Sequence, residues 1–377
     1  MTATQETPPG PVLRYVIIGV GGVIGPSHIK ALKQLPEAQI VGVADIDAGR
    51  AQARAQEIGC PWYTDHQAML ADLKPDVAVI TTPHPSHAPL TVDAFAHGAH
   101  VLVEKPMADH VGEADAMIRA ADKADKLLGV NFQHRFRPII ERAKALIDAG
   151  AVGPLVRTLC IEPWYRPAAY YRSAGWRGTW QGEGGAILLN QAPHPLDLFC
   201  YLAGSPARVT GWVRTRYHAI EAEDTAQAMV EYPNGAPGYL AFSTAEVGLK
   251  RRLEIVGENG ALELVGDQLT MTHLKPNMRE HLATSEGMFS APDIEVETLT
   301  LPGDAGAHLA VHRDFYRAIV EGGQPRCDGR DGEKSLELAN AVTLSSFEGR
   351  AVNLPLDRAA YAALLADLRA RKRRIGG

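Results

Sequence analysis

The sequence predicts an α/β protein in which an N-terminal, doubly wound parallel sheet precedes an α+β domain with a large, mainly antiparallel open sheet. In the first third of the chain, short β-branched runs alternate with helical spacing, which is typical of right-handed βαβ crossovers. Beyond about residue 138, successive strand-like runs are joined by tight turns, which is typical of antiparallel pairing. The length of 377 residues is also about right for two domains.

The first domain is predicted from an uninterrupted alternation of strands and helices. Apolar, β-branched runs predict buried parallel strands at residues 14–19, 39–45, 76–81, 100–104 and 127–132. Helical spacing predicts helices at residues 28–35, 48–58, 88–97 and 113–125. We therefore place this domain at residues 13–137, after a polar, proline-rich lead-in at residues 1–12 that we expect to be disordered.

The second domain, placed at residues 138–377, is predicted from a change of pattern. It begins with an amphipathic helix at 139–149, which Gly150 ends. Strand-like alternation follows at residues 155–162, 207–216, 225–232, 238–245, 252–257 and 260–265. The turns Pro233-Asn234-Gly235 and Glu258-Asn259-Gly260 predict hairpins. A polar stretch at 275–293 is expected to be a long loop, and helical spacing returns at 307–320 and 333–349.

Composition narrows the functional class. Hydrophobic residues make up 46% of the chain and charged residues 22%, as in an ordinary compact protein. The net charge of -6 argues against a partner nucleic acid or an anionic membrane, since both favour a basic surface. No apolar run is long enough to span a membrane, and the start lacks the features of a secretory signal. We therefore expect a cytoplasmic protein.

Cysteine usage agrees with that location. The four cysteines are scattered and form no CxxC pair, so neither a zinc site nor a disulfide framework is predicted; they are Cys60, Cys160, Cys200 and Cys327. We expect reduced thiols.

A glycine-rich turn, residues 19–25 (GVGGVIG), lies between the first strand and the first helix. Glycines there let backbone N–H groups approach a pyrophosphate at the helix N-terminus, so the turn predicts a dinucleotide site. The third glycine, Gly25, comes one position later than in GxGxxG, and either central glycine could face the phosphates. The predicted cofactor contacts are Gly19, Gly21, Gly22, Val23 and Ile24.

An acidic residue, Asp45, ends the second strand. A carboxylate at this position accepts hydrogen bonds from the adenosine ribose diol and repels a 2′-phosphate, which favours NAD over NADP. Asp47 adds negative charge, and the first basic residue, Arg50, lies inside the following helix. The alternative interpretation is that Asp45 only caps that helix.

Three further strings carry a resemblance to a known family. They are Thr82-Pro83-His84-Pro85-Ser86-His87, Glu104-Lys105-Pro106, and the segment from Glu183 to Asp197 that opens a helix in the second domain. Together with the glycine turn, they resemble the Gfo/Idh/MocA oxidoreductases, the family of glucose–fructose oxidoreductase and inositol 2-dehydrogenase. The resemblance runs from about Tyr15 to Leu356 and implies a Rossmann domain followed by a substrate domain.

The resemblance implies that Lys105 and His194 are catalytic. Lys105 would lie beneath the nicotinamide, with a cis bond to Pro106, and His194 would be the general base or acid. Oxidation of a secondary alcohol requires such a pair, because a proton leaves oxygen while hydride leaves carbon. We expect the two side chains to converge on one alcohol beside the nicotinamide ring.

One position departs from the family pattern. Many members have an aspartate four residues before the histidine, whereas this chain has Asn190. An amide orients a hydroxyl group but holds no charge, so Asn190 is interpreted as substrate-binding. Asp197, one helical turn beyond His194, is a candidate for supporting its neighbours by hydrogen bonds.

Other residues match the family's cofactor side. The resemblance places Thr82, Pro83, His84, His87 and Glu104 along the ribose and nicotinamide. His84 and His87 also form an HxxH pair, but acidic or cysteine partners are missing nearby in the sequence. Because zinc takes three or four ligands, we predict no metal.

The substrate side is less sharply defined. Residues 164–180 combine three tryptophans, three tyrosines and three arginines, which suit either sugar binding or a packed interface. From this stretch, Tyr165, Trp176 and Arg177 are candidate substrate contacts. Arg135 matches a family position near the domain junction and is as consistent with a structural role as with substrate binding.

These observations predict an NAD-dependent oxidoreductase that transfers a hydride between nicotinamide and a secondary alcohol or ketone carbon of a sugar, anhydrosugar, glycoside or cyclitol. One alternative is an NAD-dependent enzyme that cleaves glycosides through transient oxidation and elimination. Another is a non-catalytic NAD-binding regulator. The resemblance further implies a homodimer or homotetramer.

Overall fold

The computed structural model describes residues 10–301 and 307–372. Most of the predicted lead-in, residues 1–9, therefore lies outside the described residues. Within them, the chain forms two compact units. Of the described residues, unit 1 combines 10–108, 113–133 and 307–332. Unit 2 combines 109–112, 134–301 and 333–372. The units are thus interleaved along the chain, whereas the sequence suggests a single boundary near residue 137.

Unit 1 contains a six-stranded parallel sheet. Its strands are β1 (Leu13–Ile18), β2 (Ala38–Ala44), β3 (Trp62–Tyr63), β4 (Val77–Ile80), β5 (His100–Val103) and β6 (Leu128–Val130). The helices between them are α1 (Gly25–Leu32), α2 (Ala48–Ile58), α3 (His66–Leu73), α4 (His87–Ala96) and α5 (Val111–Ala124). The strand order is β3-β2-β1-β4-β5-β6, the order of a Rossmann sheet. The predicted parallel fold is confirmed, although β3 and α3 were not predicted from the sequence.

The strand order determines where a ligand can bind. Connections leave β1 toward β2 on one side and β4 toward β5 on the other, so the switch in direction lies between β1 and β4. Open α/β sheets bind ligands outside the carboxyl ends of the strands at this switch point. The glycine turn follows β1, and residues 81–87 follow β4. Both segments are therefore at the edge where a dinucleotide would bind.

Unit 2 is built on a nine-stranded sheet. Its first elements are α6 (Pro138–Asp148), β7 (Leu155–Pro163), α7 (Ala168–Arg172), α8 (Trp180–Glu183), α9 (Pro193–Ala203), β8 (Arg208–Arg214), β9 (Thr225–Glu231), β10 (Pro237–Ser243), β11 (Arg252–Gly257) and β12 (Gly260–Val265). The remaining strands are β13 (Gln268–Lys275), β14 (Asp293–Thr300) and β15 (Val352–Asn353). The helices α10 (Met278–Thr284), α11 (Ala307–Glu321), α12 (Gly329–Glu348) and α13 (Arg358–Arg371) complete the chain, α11 belonging to unit 1.

The order of this sheet is β14-β13-β12-β11-β7-β10-β9-β8-β15. All its pairs are antiparallel except β7 with β10, so the predicted mainly antiparallel sheet is confirmed. Both predicted hairpins are present, between β9 and β10 and between β11 and β12. Strand β7 lies centrally, with side chains that alternate between half-buried and buried over its last residues.

The stretch at residues 275–293 is not wholly a loop, because it contains helix α10. The sequence analysis also missed β13 and β14, which pair with each other over their full length. Strand β14 reads DIEVETLT, and nearly all of its residues are exposed. Such a polar edge strand buries too little apolar surface to produce a clear hydrophobic pattern.

In the described part of the chain, no helix combines the length and the apolarity needed to cross a bilayer. All four cysteines are free thiols, and three of them are buried.

Candidate functional site

The glycine turn of unit 1 requires glycine at three positions. Gly19 has a φ of 87°, and a Cβ there would lie 2.5 Å from the Thr82 side chain. A Cβ on Gly21 would lie 2.8 Å from the carboxylate of Asp45, and one on Gly25 would collide with a backbone carbonyl. Gly22, in contrast, leaves room for a Cβ. The glycines that the turn requires are therefore those at positions 19, 21 and 25. The sequence does not distinguish Gly21 from Gly22, whereas the close approaches in the structure do.

The acidic residue after β2 is tied to this turn. The Asp45 carboxylate accepts hydrogen bonds from the backbone N–H of Gly21, at 2.8 Å, and of Asp47, at 3.0 Å. The N-cap of α2 is Asp47, which accepts the N–H of Arg50 at 3.1 Å. Asp45 is therefore not the helix cap, and the capping alternative applies to its neighbour. The half-buried Asp45 carboxylate lies beside the glycine turn, where an adenosine ribose would bind.

The Lys105 turn follows β5, and the Lys105–Pro106 peptide bond is cis, as the family resemblance implies. The turn is held by Glu104, whose side chain is buried. One carboxylate oxygen of Glu104 accepts hydrogen bonds from His28 at 2.9 Å and from the Asn131 amide at 2.5 Å. The other accepts the backbone N–H of Lys105 at 3.1 Å. The Lys105 side chain itself is half-buried.

Glu104 carries a negative charge beside Lys105. Burial opposes its ionisation, but the hydrogen bond and charge of His28, together with the charge of Lys105, outweigh that effect and lower the pKa of Glu104 to about 2. The carboxylate is thus charged at neutral pH. Since its contacts are with groups of unit 1, the geometry favours a supporting role for Glu104, and the direct cofactor contact stays a prediction.

His87 has a comparable supporting geometry. Its ring is completely buried, with Nδ1 2.8 Å from the carbonyl oxygen of Pro106 and Nε2 2.7 Å from that of Thr82. Burial lowers the pKa of His87 despite these two acceptors. The imidazole therefore connects the loop after β4 to the Lys105–Pro106 turn. Its direct contact with a cofactor likewise stays a prediction, as do the contacts of Thr82, Pro83 and His84.

Sequence reasoning missed a histidine cluster behind this turn. The ring of His28 lies 5.2 Å, centroid to centroid, from both His308 and His312. His28 Nδ1 is also 3.0 Å from His312 Nε2. His28, Glu104 and His308 place one ligand atom each within 4.8 Å of the others. The hydrogen bonds of His28 account for its contact with Glu104 without an ion. The i, i+4 spacing of the two later histidines on α11 was the available clue.

In unit 2, His194 lies in the first turn of α9 and is buried. Its ring stacks on that of His134, with centroids 4.1 Å apart and planes inclined by 22°. A π-helical segment, Ile187–Gln191, comes directly before α9. Such wide turns are rare and often occur at functional sites. The stacking and the irregular turn together orient the imidazole.

Two buried carboxylates support the π-helical segment. Glu223 accepts the backbone N–H groups of Ala186, at 2.9 Å, and Leu188, at 3.0 Å. Glu183 accepts the N–H of Gly178 at 2.5 Å and also a hydrogen bond from the Asn190 amide. Burial raises the pKa of each carboxyl to about 7, against the opposing effect of those donors.

These bonds assign a partner to Asn190. Because its amide nitrogen donates to Glu183, the amide has a defined orientation. A carboxyl group is thus one hydrogen bond away from the position where many family members carry aspartate. Sequence reasoning missed Glu183, whose only clue was its place seven residues before Asn190.

The buried Glu223 predicts a pH dependence of stability. Its folded pKa of about 7 exceeds the ordinary value of 4.5, so its favourable contribution is complete below pH 4.5 and is lost as the pH rises through 7. The variant Glu223→Gln keeps the accepting oxygen but has no proton to lose. We expect its stability relative to the wild type to rise by up to about 3 kcal/mol between pH 5 and pH 8.

Urea denaturation at the two pH values measures this difference. The exposed Glu246→Gln is the matched control and should show the same small offset at both. An offset for Glu223→Gln that does not change with pH would contradict the expectation.

Arg135 and Asp197 form a buried ion pair. Arg135 Nε and Nη2 donate to the two carboxylate oxygens of Asp197 at 2.9 and 2.6 Å, and both side chains are 1% exposed. The guanidinium also lies 4.3 Å from the ring centroid of Tyr201. Since the pair connects the turn that carries His134 to helix α9, the geometry favours the structural interpretation of Arg135. Asp197 thus pairs with a residue 62 positions away in the sequence, and its support of neighbours within α9 stays a prediction.

The aromatic stretch, residues 164–180, is only partly a surface. Trp180 is fully buried and belongs to the core. Arg177 lies between two rings, 4.2 Å from the centroid of Tyr170 and 4.4 Å from that of Trp176. Tyr165 is half exposed. The geometry leaves both sugar binding and an interface open for Trp176, Arg177 and Tyr165.

Comparison with known proteins agrees with both units. Residues 13–132 match the model described as "Oxidoreductase family, NAD-binding Rossmann fold", and residues 140–263 match the GFO/IDH/MocA C-terminal domain. The chain belongs to the Gfo/Idh/MocA oxidoreductase family. The resemblance carried by the glycine turn, the Glu104-Lys105-Pro106 string and the helix of His194 is therefore confirmed.

Several relatives within the Gfo/Idh/MocA family span nearly the whole chain. The D-apiose dehydrogenase of Paraburkholderia graminis is 26% identical over 88% of this chain and 88% of its own. The NAD(+)-dependent scyllo-inositol 2-dehydrogenase of Bacillus subtilis is 27% identical over 92% and 98%. The WlbA dehydrogenase of Bordetella pertussis, solved with NADH and UDP-GlcNAcA, superimposes with a TM-score of 0.79 at 29% identity, over 92% of this chain and 100% of its own.

Proposed function

We propose that this family member is an NAD-dependent enzyme that transfers a hydride between nicotinamide and a secondary alcohol or ketone carbon of a sugar, anhydrosugar, glycoside or cyclitol. One observation carries the proposal: a chain of the Gfo/Idh/MocA family retains both a lysine after β5 and a histidine on α9. The relatives that act on apiose and inositol support the substrate class.

The residues of unit 1 fit a dinucleotide. The turn after β1 carries no side chain at its three required glycines, and α1 begins at Gly25, so its N-terminus supports a pyrophosphate. Asp45 supplies an acceptor for the ribose diol. When bound, NAD accepts the hydride in the oxidative direction and NADH supplies it in the reverse.

Side chains of this protein carry out the proton transfer. In the oxidative direction we assign to His194 the removal of the hydroxyl proton, and to the Lys105 ammonium the stabilisation of the negative charge that develops on oxygen. Glu104 and His87 hold the turn of Lys105, while Glu223, Glu183 and the stacked His134 hold the segment around His194. Asn190, oriented by Glu183, would position a substrate hydroxyl.

The direct test is a panel of sugars, anhydrosugars, glycosides and inositols, each incubated with NAD or NADP while the absorbance of the reduced cofactor is followed. Net formation of NADH with at least one polyol is the expected result. Cleavage of a glycoside without net NADH would establish the elimination alternative instead. If no compound changes the absorbance of the reduced cofactor, the result would favour the non-catalytic NAD-binding regulator.

Cofactor preference gives a sharper prediction. Replacing Asp45 by asparagine removes the charge that repels a 2′-phosphate, and Arg50 already packs against Gly21 at the same turn. We expect the ratio of kcat/KM for NAD to that for NADP to fall by at least about tenfold. Asp65→Asn, at the N-cap of α3, is the control and should leave the ratio unchanged. A wild-type enzyme that prefers NADP would contradict the role of Asp45.

The homodimer or homotetramer stays a prediction, which light scattering of the purified protein would check.

A further inference from the structure

Unit 2 contains a cavity beside the proposed general base. Its volume is about 50 Å³, which holds a few water molecules or one carboxylate group. It is lined by strands β7, β11 and β12, by helices α6 and α9, and by the turn that carries His134. His134, whose ring stacks on His194, and Pro195, which follows His194 in α9, are both lining residues. A molecule in this cavity would therefore lie next to the imidazole.

Three arginines, Arg137, Arg251 and Arg252, line the cavity. Arg252 is neutralised by Glu254 and Glu263 on neighbouring positions of the sheet. The other two arginines share one carboxylate, since Arg137 pairs with Asp267 and Arg251 lies 3.5 Å from the same oxygen. Asp267 is 57% exposed, so much of its charge is screened by solvent.

Arg137 in particular has unused hydrogen-bonding capacity. Its side chain is 7% exposed, and its Nε has no hydrogen-bond partner among the described residues. An unsatisfied buried donor costs free energy, which an acceptor on a bound molecule would recover. A carboxylate suits a guanidinium especially well, because two oxygens match two parallel N–H donors.

One acidic group, Glu162 on β7, also lines the cavity. Burial raises its pKa to about 7, while the positive charges of Arg251 and Arg137 oppose that rise. His134, Arg252 and Cys160 are the other ionisable lining residues; burial raises the pKa of the Cys160 thiol, which keeps it neutral. The lining residues from α9 and β12 are uncharged. At pH 6 Glu162 is largely protonated and can donate to a bound acceptor. At pH 8 it is largely ionised and repels an anion.

We propose that this cavity binds the carboxylate of an acidic sugar, a uronate or an aldonate, and thereby sets the substrate class of the enzyme. The inference rests on the proposed function for the position of the reacting alcohol, but the binding step stands independently of it. Two guanidinium groups against Asp267 leave one surplus positive charge when Glu162 is protonated. A single negative charge balances that surplus, which favours a carboxylate over a phosphate dianion.

Calorimetric titration tests the binding step without turnover. D-glucuronate, D-galacturonate and D-gluconate are titrated at pH 6 into the protein with NADH, which prevents net oxidation. D-glucose, D-galactose and D-glucuronamide are the neutral counterparts, and D-glucose 6-phosphate is the dianion. We expect at least one acid to bind on the order of ten- to one-hundredfold more tightly than its neutral counterpart. Equal affinities throughout, or tighter binding of the phosphate, would overturn the proposal.

Substitutions locate the effect in the cavity. Arg251→Gln should remove most of the preference for the acid and spare the neutral sugars. Arg157→Gln is the matched control, an arginine on the same sheet that is similarly exposed and does not line the cavity. If both variants lose the preference equally, the net charge of the protein is responsible and the cavity is not the site.

The pH supplies an independent measurement. In the wild type, affinity for the acid should fall between pH 6 and pH 8 as Glu162 ionises, whereas Glu162→Gln should bind almost equally at both. A variant that keeps the wild-type pH dependence would contradict the role of Glu162. Acid binding without formation of NADH when the same acids are incubated with NAD would refute the proposed oxidoreductase while leaving the cavity assigned. Turnover of neutral sugars alone, with no preference for acids in binding, would refute the role of the cavity and leave the proposed oxidoreductase supported.

Discussion

Replacing Lys105 by methionine is expected to lower kcat by about 10²- to 10⁴-fold, the range that a positioned acid or charge-stabilising group contributes. Methionine has a similar length and no charge, so the variant removes the ammonium and keeps most of the volume. The turn should persist, because Glu104 accepts a hydrogen bond from the backbone N–H of residue 105, which the substitution keeps. The loss should therefore appear in kcat, with the affinity for NADH changed by less than about threefold.

Two measurements make this result specific. Single-turnover absorbance of the reduced cofactor reports the chemical step, and quenching of protein fluorescence by NADH reports binding. Lys123→Met, on the exposed side of α5, is the control and should retain wild-type rates. Full activity of Lys105→Met would show that proton transfer and charge stabilisation depend on other groups.

Breaking the buried Arg135–Asp197 pair is expected to have the largest effect on stability. Arg135→Met leaves the Asp197 carboxylate buried without its bidentate partner, and Asp197→Leu leaves the guanidinium in the same state. Each single substitution should lower the free energy of unfolding by about 3–5 kcal/mol. The double variant removes both charges and should be within about 1 kcal/mol of the wild type.

Urea denaturation followed by tryptophan fluorescence suits this measurement, because Trp164, Trp176, Trp180 and Trp212 all belong to unit 2. The exposed pair Arg208–Glu231 is the matched control, and Arg208→Met should cost no more than about 1 kcal/mol. If the double variant lost as much as the two single variants together, the pair would not act as a unit.

The locally encoded features were predictable. The parallel sheet of unit 1 follows from short buried runs such as VIIG and VAVIT, since their period and length distinguish strands from helices. The glycine turn, Asp45 and the Glu104-Lys105-Pro106 string are each contiguous in the sequence. Their chemistry depends on residue types at fixed spacing after a strand, and the strand itself was recognisable.

The supporting residues were not predictable in the same way. Glu183 and Glu223 are glutamates in polar surroundings of the sequence, and nothing local indicates that they are buried. His28 meets Glu104, 76 residues away, and His312 on α11, 284 residues away. Their importance arises from burial and from long-range hydrogen bonds, which a pattern of neighbouring residues does not contain.

The sequence alone was sufficient to predict the fold class and the place of the dinucleotide turn, because hydrophobic period, glycine spacing and strand ends are all local. The lysine and histidine proposed to act in catalysis were identified by the resemblance to the family. The tertiary structure alone decided that Gly21 is required and Gly22 is not, that Asp47 caps α2, and that Arg135 pairs with Asp197. It also decided that α11 joins unit 1. Each of these features depends on contacts between groups that are distant in the sequence and buried in the fold. An unpaired charge or a clashing Cβ in such a place costs several kcal/mol, which is close to the whole free energy of unfolding of a domain.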